Sequence, residues 1–206
     1  EEIQMERALL VIDLQNDFYE EGKLPVPEAS KINPVVNQLL QSDSYKVIIA
    51  SQDWHPAEHK SYAINMGKEP YTPFDNGKGI GPVLWPVHCK QDTHGAEFHP
   101  DIETRYFDYI IRKGTNPEVD SYSAFRENNG TTTGLDGLLK ALEITEVDLC
   151  GLALDYCVKY SALDAVKAGF KTNIIFDATR GVGANPGDID KTLKELKEAG
   201  VKIIYS

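Results

Sequence analysis

A thiol stands where an apolar run hands over to a helical pattern: LALDYC, residues 152–157, ends on Cys157, and CVKYSALDAVKAG continues from it. Sulfur close to the first turn of a helix meets unpaired backbone N–H groups and the positive end of the helix dipole, both of which favour thiolate. The same N–H groups could hold the oxyanion formed when the sulfur attacks a carbonyl. Attack on an amide also needs a proton donor for the departing nitrogen and a base for the water that follows. Asp13, ending RALLVID, could do both. Lys113, ending DYIIRK, could keep that carboxylate ionised and favour the thiolate. Cys150 lies inside an apolar run and reads as a small buried hydrophobe.

A second group comes from DWHPAEH and WPVHC. Asp53, His55 and His88 offer one carboxylate and two imidazoles, a set suited to Zn²⁺, Fe²⁺ or Mn²⁺. Three protein ligands leave positions for water or substrate, the pattern of a catalytic rather than a structural site. His59, His94 and His99 share this part of the chain, but their spacing singles none of them out. Phe18, Trp54, Trp85 and Tyr122 lie close in sequence to these polar residues, and a flat ring held between aromatic faces would account for several of them.

Six short β-branched or aliphatic runs must position these groups: 7–13, 46–53, 108–113, 146–154, 171–177 and 201–206. Runs with few polar interruptions read as strands buried on both faces, hence as a parallel sheet. Helical periods lie between them. Ile32, Val35, Val36 and Leu39 follow one another with Asn33 as a possible cap and Pro34 in the first turn; Leu135, Leu138, Leu139 and Leu142 form a second. Val158, Ala162 and Ala165 run to a stop at Gly169, and Ile189, Leu193 and Leu196 to Gly200. The alternation predicts a doubly wound α/β domain with helices on both faces. Ligands of such sheets bind beyond the carboxyl ends of the strands, where Asp13, Asp53 and Lys113 fall and which Cys157 follows. Residues 54–106 fit neither period and hold all five histidines, so this long loop is read as functional.

The 206 residues suit one domain, 1–206, and the composition, 41% hydrophobic and 26% charged, is that of a folding chain. A formal charge of −11 argues against nucleic acid or an acidic membrane surface as partner and leaves small neutral or cationic substrates. Three cysteines, without the density of a disulfide framework, fit a reducing cytoplasm. No run of about 18 apolar residues reads as a membrane span. The opening EEIQMER is polar and the tail KIIYS is no recognised address. Monomer and homo-oligomer stay open, with monomer the default.

Six segments in order resemble the isochorismatase-like hydrolase superfamily and, within it, the nicotinamidases: LLVIDLQNDF, ASQDWHPAEHKSYA, GPVLWPVHCKQDTHGAEFH, IIRKGTNPEVDSYSAF, GLALDYCVKYSALDAV and FDATRGV. The resemblance implies a six-stranded parallel sheet flanked by helices and a triad of Asp13, Lys113 and Cys157. It implies metal ligands Asp53, His55 and His88, zinc first with iron or manganese as alternatives, and an oxyanion hole from the N–H groups of Ala153 and Cys157. It further implies a cis peptide between Leu152 and Ala153 and a pyridine pocket lined by Phe18, Trp85 and Tyr122. Some relatives carry another metal-binding His or Glu after the D-x-H pair; His59 sits in a different register, so no fourth protein ligand is assigned. Nicotinamide is then the expected substrate, with pyrazinamide beside it, hydrolysed through a cysteine thioester in NAD salvage. Whether the metal meets the pyridine nitrogen or the hydrolytic water stays open. An isochorismatase, an N-carbamoyl amide hydrolase and a non-catalytic binding module are the alternatives, and the Asp53, His55 and His88 set counts against the first.

Overall fold

Side chains alternate between two buried faces along Arg7–Ile12 (β1): Ala8, Leu10 and Ile12 enter one apolar layer, Leu9 and Val11 the other. A strand with both faces covered must lie inside a sheet, and β1 pairs in parallel with Val47–Asp53 (β2) on one side and Glu146–Leu152 (β4) on the other. The computed structural model describes residues 6–206; the first five residues of the polar opening lie outside them. Tyr109–Lys113 (β3), Lys171–Arg180 (β5) and Lys202–Ile204 (β6) complete a six-stranded, wholly parallel sheet in the order β3-β2-β1-β4-β5-β6. The chain winds outward in both directions from β1 and β4, which makes the gap between their carboxyl ends the topological switch point.

All six expected strands form, each with one or both ends moved by one to three residues. Asp13 is not the last residue of β1 but the first beyond it, turned out of the strand at φ 49°. β5 runs on to Arg180, three residues past the apolar run, and carries the FDATR segment to the site.

The two faces are covered unequally. Leu135–Ala141 (α2), Lys159–Lys167 (α3) and Asp188–Glu198 (α4) bury Leu139, Ala162, Ala165 and Leu196 on one face. Asn33–Gln41 (α1) covers the other with Val36 and Leu40, helped by residues 14–32 and 89–102. Pro34 sits in the first turn of α1 as expected, but Asn33 does not cap it. Asn33 is already helical, and its Oδ1 accepts from the Tyr19 hydroxyl at 2.7 Å instead. No helix joins β2 to β3; residues 54–106 contain three single 3₁₀ turns, at Ala63–Met66, His94–Ala96 and Thr104–Tyr106. Among the described residues no helix is long and apolar enough to cross a membrane.

Gly151 lets β4 come close to β1 at the site. It lies at φ 116°, and a Cβ there would sit 2.1 Å from the carbonyl oxygen of Ile12, so only glycine allows the two strands to approach where Asp13 and Cys157 must meet.

Candidate active and metal-binding site

Lys113 joins the groups that three distant segments deliver. Its side chain is fully buried, and Nζ lies 2.9 Å from Asp13 Oδ2, 3.4 Å from Asp53 Oδ1 and 3.6 Å from Cys157 Sγ, while donating to the Ser121 carbonyl at 2.8 Å. Burial alone would strip the ammonium of its proton, but Asp13 and Asp53 overcome that and hold Lys113 well above its ordinary range. Asp13 feels the opposite balance: burial raises its carboxyl, and the Lys113 charge only partly offsets this. A carboxylate tuned upward in this way is a stronger base than an ordinary one.

Cys157 is not at the free end of an α-helix. It lies in a single wide π-turn, Leu154–Val158, that leads into α3. Burial pushes its thiol well above the usual range, with Lys113 pulling the other way and the negative charge of neighbouring Asp13 adding to the rise. Dehydration thus works against the thiolate that a helix end was expected to favour, and Asp13 stands beside the thiol as a base. The peptide between Leu152 and Ala153 is cis, as the resemblance implies; Ala153 immediately precedes the turn and Cys157 lies within it, next to its last residue.

Asp53, His55 and His88 converge so that one ligand atom from each lies within 4.8 Å of the others, all three buried. Beyond the end of β1 the Gln15 side chain continues the pairing with β2 and holds Asp53, accepting from its N–H at 2.8 Å and donating to its carbonyl at 2.7 Å. A parallel bridge between His55 and Lys90 ties the two histidine segments together. The second ring nitrogens fix the tautomers. His55 Nδ1 donates to the Gly114 carbonyl and His88 Nδ1 to that of Pro86, both at 2.8 Å, which leaves the Nε2 lone pairs facing inward. These Nε2 atoms lie 2.9 and 3.4 Å from Asp53 Oδ2, and His55 Nε2 is buried with no well-aligned hydrogen bond among the described residues. Two lone pairs turned toward a carboxylate are mutually repulsive unless a cation sits among them, so the donor set fits a divalent metal ion. A proton can take that place. Burial opposes a charged His55, yet Asp53 outweighs burial and lifts it to about 9, while Asp53 itself, against the same desolvation, is held well below the carboxylate range chiefly by His55 and Lys113.

The other histidines do not join this set. His59 abuts His55, ring centroids 4.3 Å apart, but its Nδ1 accepts from the Ser61 N–H at 3.0 Å and its Nε2 donates to the Val119 carbonyl at 3.1 Å, so neither lone pair is free. Burial lowers it to about 4, keeping it neutral. His94 is exposed beside Glu97, and His99 pairs with Tyr19 away from the site. Asp120 is the residue that sequence reasoning missed: a buried carboxylate, 4.0 Å from His55 Nε2, that also lines the cavity.

Gly114 makes the His55 geometry possible. At φ 69°, a Cβ on it would lie 2.4 Å from His55 Cε1. Gly114→Ala is therefore expected to displace the imidazole, reduce bound metal to well below one ion per chain and cost at least about 1 kcal/mol from backbone strain alone. Elemental analysis and thermal melting read both effects, and full metal content in the variant would contradict this account.

A cavity of about 110 Å³ opens above Cys157 and is lined by Phe18, Trp85, Tyr122, Tyr156 and Val182 together with Asp53 and His88 of the metal site. Trp85 Nε1 donates to the Tyr122 hydroxyl at 3.1 Å, which in turn donates to the Gly81 carbonyl at 2.9 Å, so both rings are fixed in place. Tyr156 stands edge-on to Trp85 at 5.6 Å, and Phe18 lies 5.8 Å from His88. Trp54 is elsewhere, stacked under the Arg112 guanidinium at 3.9 Å. Both Asp155 oxygens accept backbone N–H groups, from Val182 and Gly183 at 2.9 Å each, which pins the end of β5 to the nucleophile turn.

A doubly wound α/β protein with a thiol, a buried carboxylate and a buried ammonium at its switch point, beside a two-histidine, one-carboxylate cluster, is the class that this fold and site define. The chain belongs to the Isochorismatase domain family, which matches residues 7–206. It is 44% identical over 200 residues to a nicotinamidase of Escherichia coli (strain K12), covering 96% of this chain and 93% of that protein. A solved nicotinamidase/pyrazinamidase of Acinetobacter baumanii superposes with a TM-score of 0.92 at 43% identity, covering 99% of this chain and 98% of the other. A pyrazinamidase of Pyrococcus horikoshii, solved in complex with zinc, superposes with a TM-score of 0.77 at 36% identity over 98% and 99% of the two chains.

Proposed function

We propose that this chain hydrolyses nicotinamide to nicotinic acid and ammonia, and pyrazinamide by the same route, with Asp13, Lys113 and Cys157 as the catalytic residues. The observation that carries the reading is the meeting of buried Asp13 and Lys113 with the partly buried Cys157 under an aromatic cavity, with Lys113 Nζ 2.9 Å from Asp13 and 3.6 Å from the sulfur. Asp13 takes the proton of the neutral thiol as Cys157 attacks the carboxamide carbon, and the N–H groups of Ala153 and Cys157 receive the developing oxyanion. Ammonia leaves with the proton from Asp13, and a thioester remains. Asp13 then deprotonates the incoming water, the acid departs and the thiol is restored. Lys113 stays charged throughout and balances whichever of Asp13 and Cys157 carries the negative charge.

Asp53, His55 and His88 would hold one divalent ion, zinc first on the strength of the donor set and of the zinc in the Pyrococcus relative. Bound there, the ion supplies a Lewis-acidic centre for a ring nitrogen or a water molecule. Asp120 adds a further buried carboxylate at the same place. Phe18, Trp85 and Tyr122 clamp the flat ring, with Tyr156 beside them. The chain works as one domain, 1–206, with 54–106 supplying metal and pocket residues, and its three unpaired thiols suit the reducing cytoplasm.

Ammonia release from nicotinamide by the metal-loaded protein tests the reading: turnover is expected, and no release would reject it. Elemental analysis of His88→Ala is expected to find less than half the metal of the wild type, and undiminished content would remove His88 from the ligand set.

A further inference from the structure

We propose that Ser51 is a positioning residue that reserves one oxygen of Asp13, Oδ2, for proton exchange with the Cys157 sulfur. The inference rests on the amide-hydrolysis reading and adds a residue to it. Ser51 is buried on β2, the strand next to β1, and the pairing of Val11 with Ala50 brings its side chain level with the turn after β1. Its Oγ accepts from the Asp13 backbone N–H at 3.1 Å and donates to Asp13 Oδ1 at 2.6 Å. A hydroxyl has one proton. Because the backbone N–H already occupies the oxygen as acceptor, that proton is directed to Oδ1, and the two bonds together close a ring that stops the carboxylate from rotating.

The other oxygen is left available. Oδ2 is fully buried and has no well-aligned hydrogen bond among the described residues, although Lys113 Nζ lies 2.9 Å away. The charged and titratable groups facing the carboxylate are Lys113 from β3, Asp53 from β2 and Cys157 from the turn after β4. Of these the thiol is the one whose proton must leave before the sulfur can attack a carboxamide, while the Lys113 ammonium holds Oδ2 in place from 2.9 Å. Without Ser51 the carboxylate could turn about its own axis, and Oδ1 would become a second, unsatisfied acceptor in a dry site. The proton would then pass from a less ordered arrangement, with substrate binding untouched, because Ser51 does not line the cavity.

Ser51→Ala is accordingly expected to lower kcat for nicotinamide by roughly 10- to 100-fold, the worth of a hydrogen bond to a charged group, with KM changed by less than about threefold. Ser51→Thr, which keeps the hydroxyl, should recover most of kcat. Alkylation of Cys157 by iodoacetamide at neutral pH, followed by mass spectrometry, should slow in Ser51→Ala in parallel with kcat. That readout needs no substrate. Should Ser51→Ala not be recovered folded, Ser51→Cys keeps the volume, replaces a strong donor by a weak one, and is expected to show the same loss. Wild-type kcat and alkylation in the Ala or Cys variant, or a loss that the Thr variant shares in full, would overturn the role given to Ser51. A wild-type protein that releases no ammonia would instead sink the hydrolysis reading, and alkylation would still judge Ser51 separately.

Discussion

Cys157→Ala is expected to lower ammonia release from nicotinamide by at least about 10⁴-fold, to background, while the protein stays folded and keeps its metal. The sulfur is the only thiol on the cavity wall. Cys89 and Cys150 are fully buried in the apolar layer on the α1 face, where burial raises both well above reactive range. Without the sulfur, Asp13 has no nucleophile to activate except water, and a water molecule would still have to be placed where Sγ now stands. Truncation removes one atom and no charge, since the resting thiol is neutral, and it leaves the Lys113 bridge to Asp13 and Asp53 intact. The melting temperature should therefore move by only a few degrees, about what a small core truncation costs in a chain of this size. Activity and fold are thus separated in one variant. Retention of more than about one per cent of wild-type turnover would mean that the bond is broken by directly activated water, and the thioester route would have to be abandoned.

Much of this site could be read from the chain because strand ends are legible. A parallel strand reads as an apolar run, and the polar residues that close it emerge at the sheet's carboxyl edge, which is how Asp13, just past β1, and Asp53 and Lys113, the last residues of β2 and of the partly exposed edge strand β3, declare themselves. The Asp53 and His55 pair was visible for the same reason, the strand ending just before a tight loop. What the pattern hid has physical causes. Asp120 sits in irregular chain between β3 and α2, where no period points it anywhere, and only the fold brings it within 4.0 Å of His55. Ser51 shares a strand face with Asp53, two residues on, and that alternation was the available signal; serine in an apolar run reads as filler until the partner across the sheet is seen. The state of Cys157 was misjudged because a helical period begins at Val158 but the backbone first makes a π-turn, and because dehydration outweighs what Lys113 supplies. Asn33 looked like a cap, and tertiary packing used its side chain for Tyr19 instead.

Lys113→Met should unfold more easily and be inactive, and the stability loss should depend on pH in a direction that simple loss of packing cannot produce. Methionine nearly preserves the volume, so the dominant change is electrostatic: Asp13 and Asp53 are left in a dry site without the ammonium that faces both. Breaking a buried ion pair from one side costs about 3–5 kcal/mol, which for about 200 residues corresponds to a melting temperature lower by roughly 6–20 °C at pH 8. The sign follows from linkage. Asp13 already has its carboxyl raised by burial, and removal of the cation can only raise it further above the 3.8 of the unfolded chain. A group of that kind stabilises the fold fully below its unfolded value and loses that contribution as pH climbs through its folded value, so the variant should recover stability as pH falls from 8 toward 5. Protonated Asp13 no longer needs a counter-charge, whereas Asp53, held low chiefly by His55 against the pull of burial, stays ionised through this window and keeps the residual deficit. Thermal melting of the wild type and the variant at matched metal loading across that range reads the difference directly. A deficit that is flat with pH would mean that Lys113 acts as packing, and its place as the charge that balances Asp13 and Cys157 would be lost along with it.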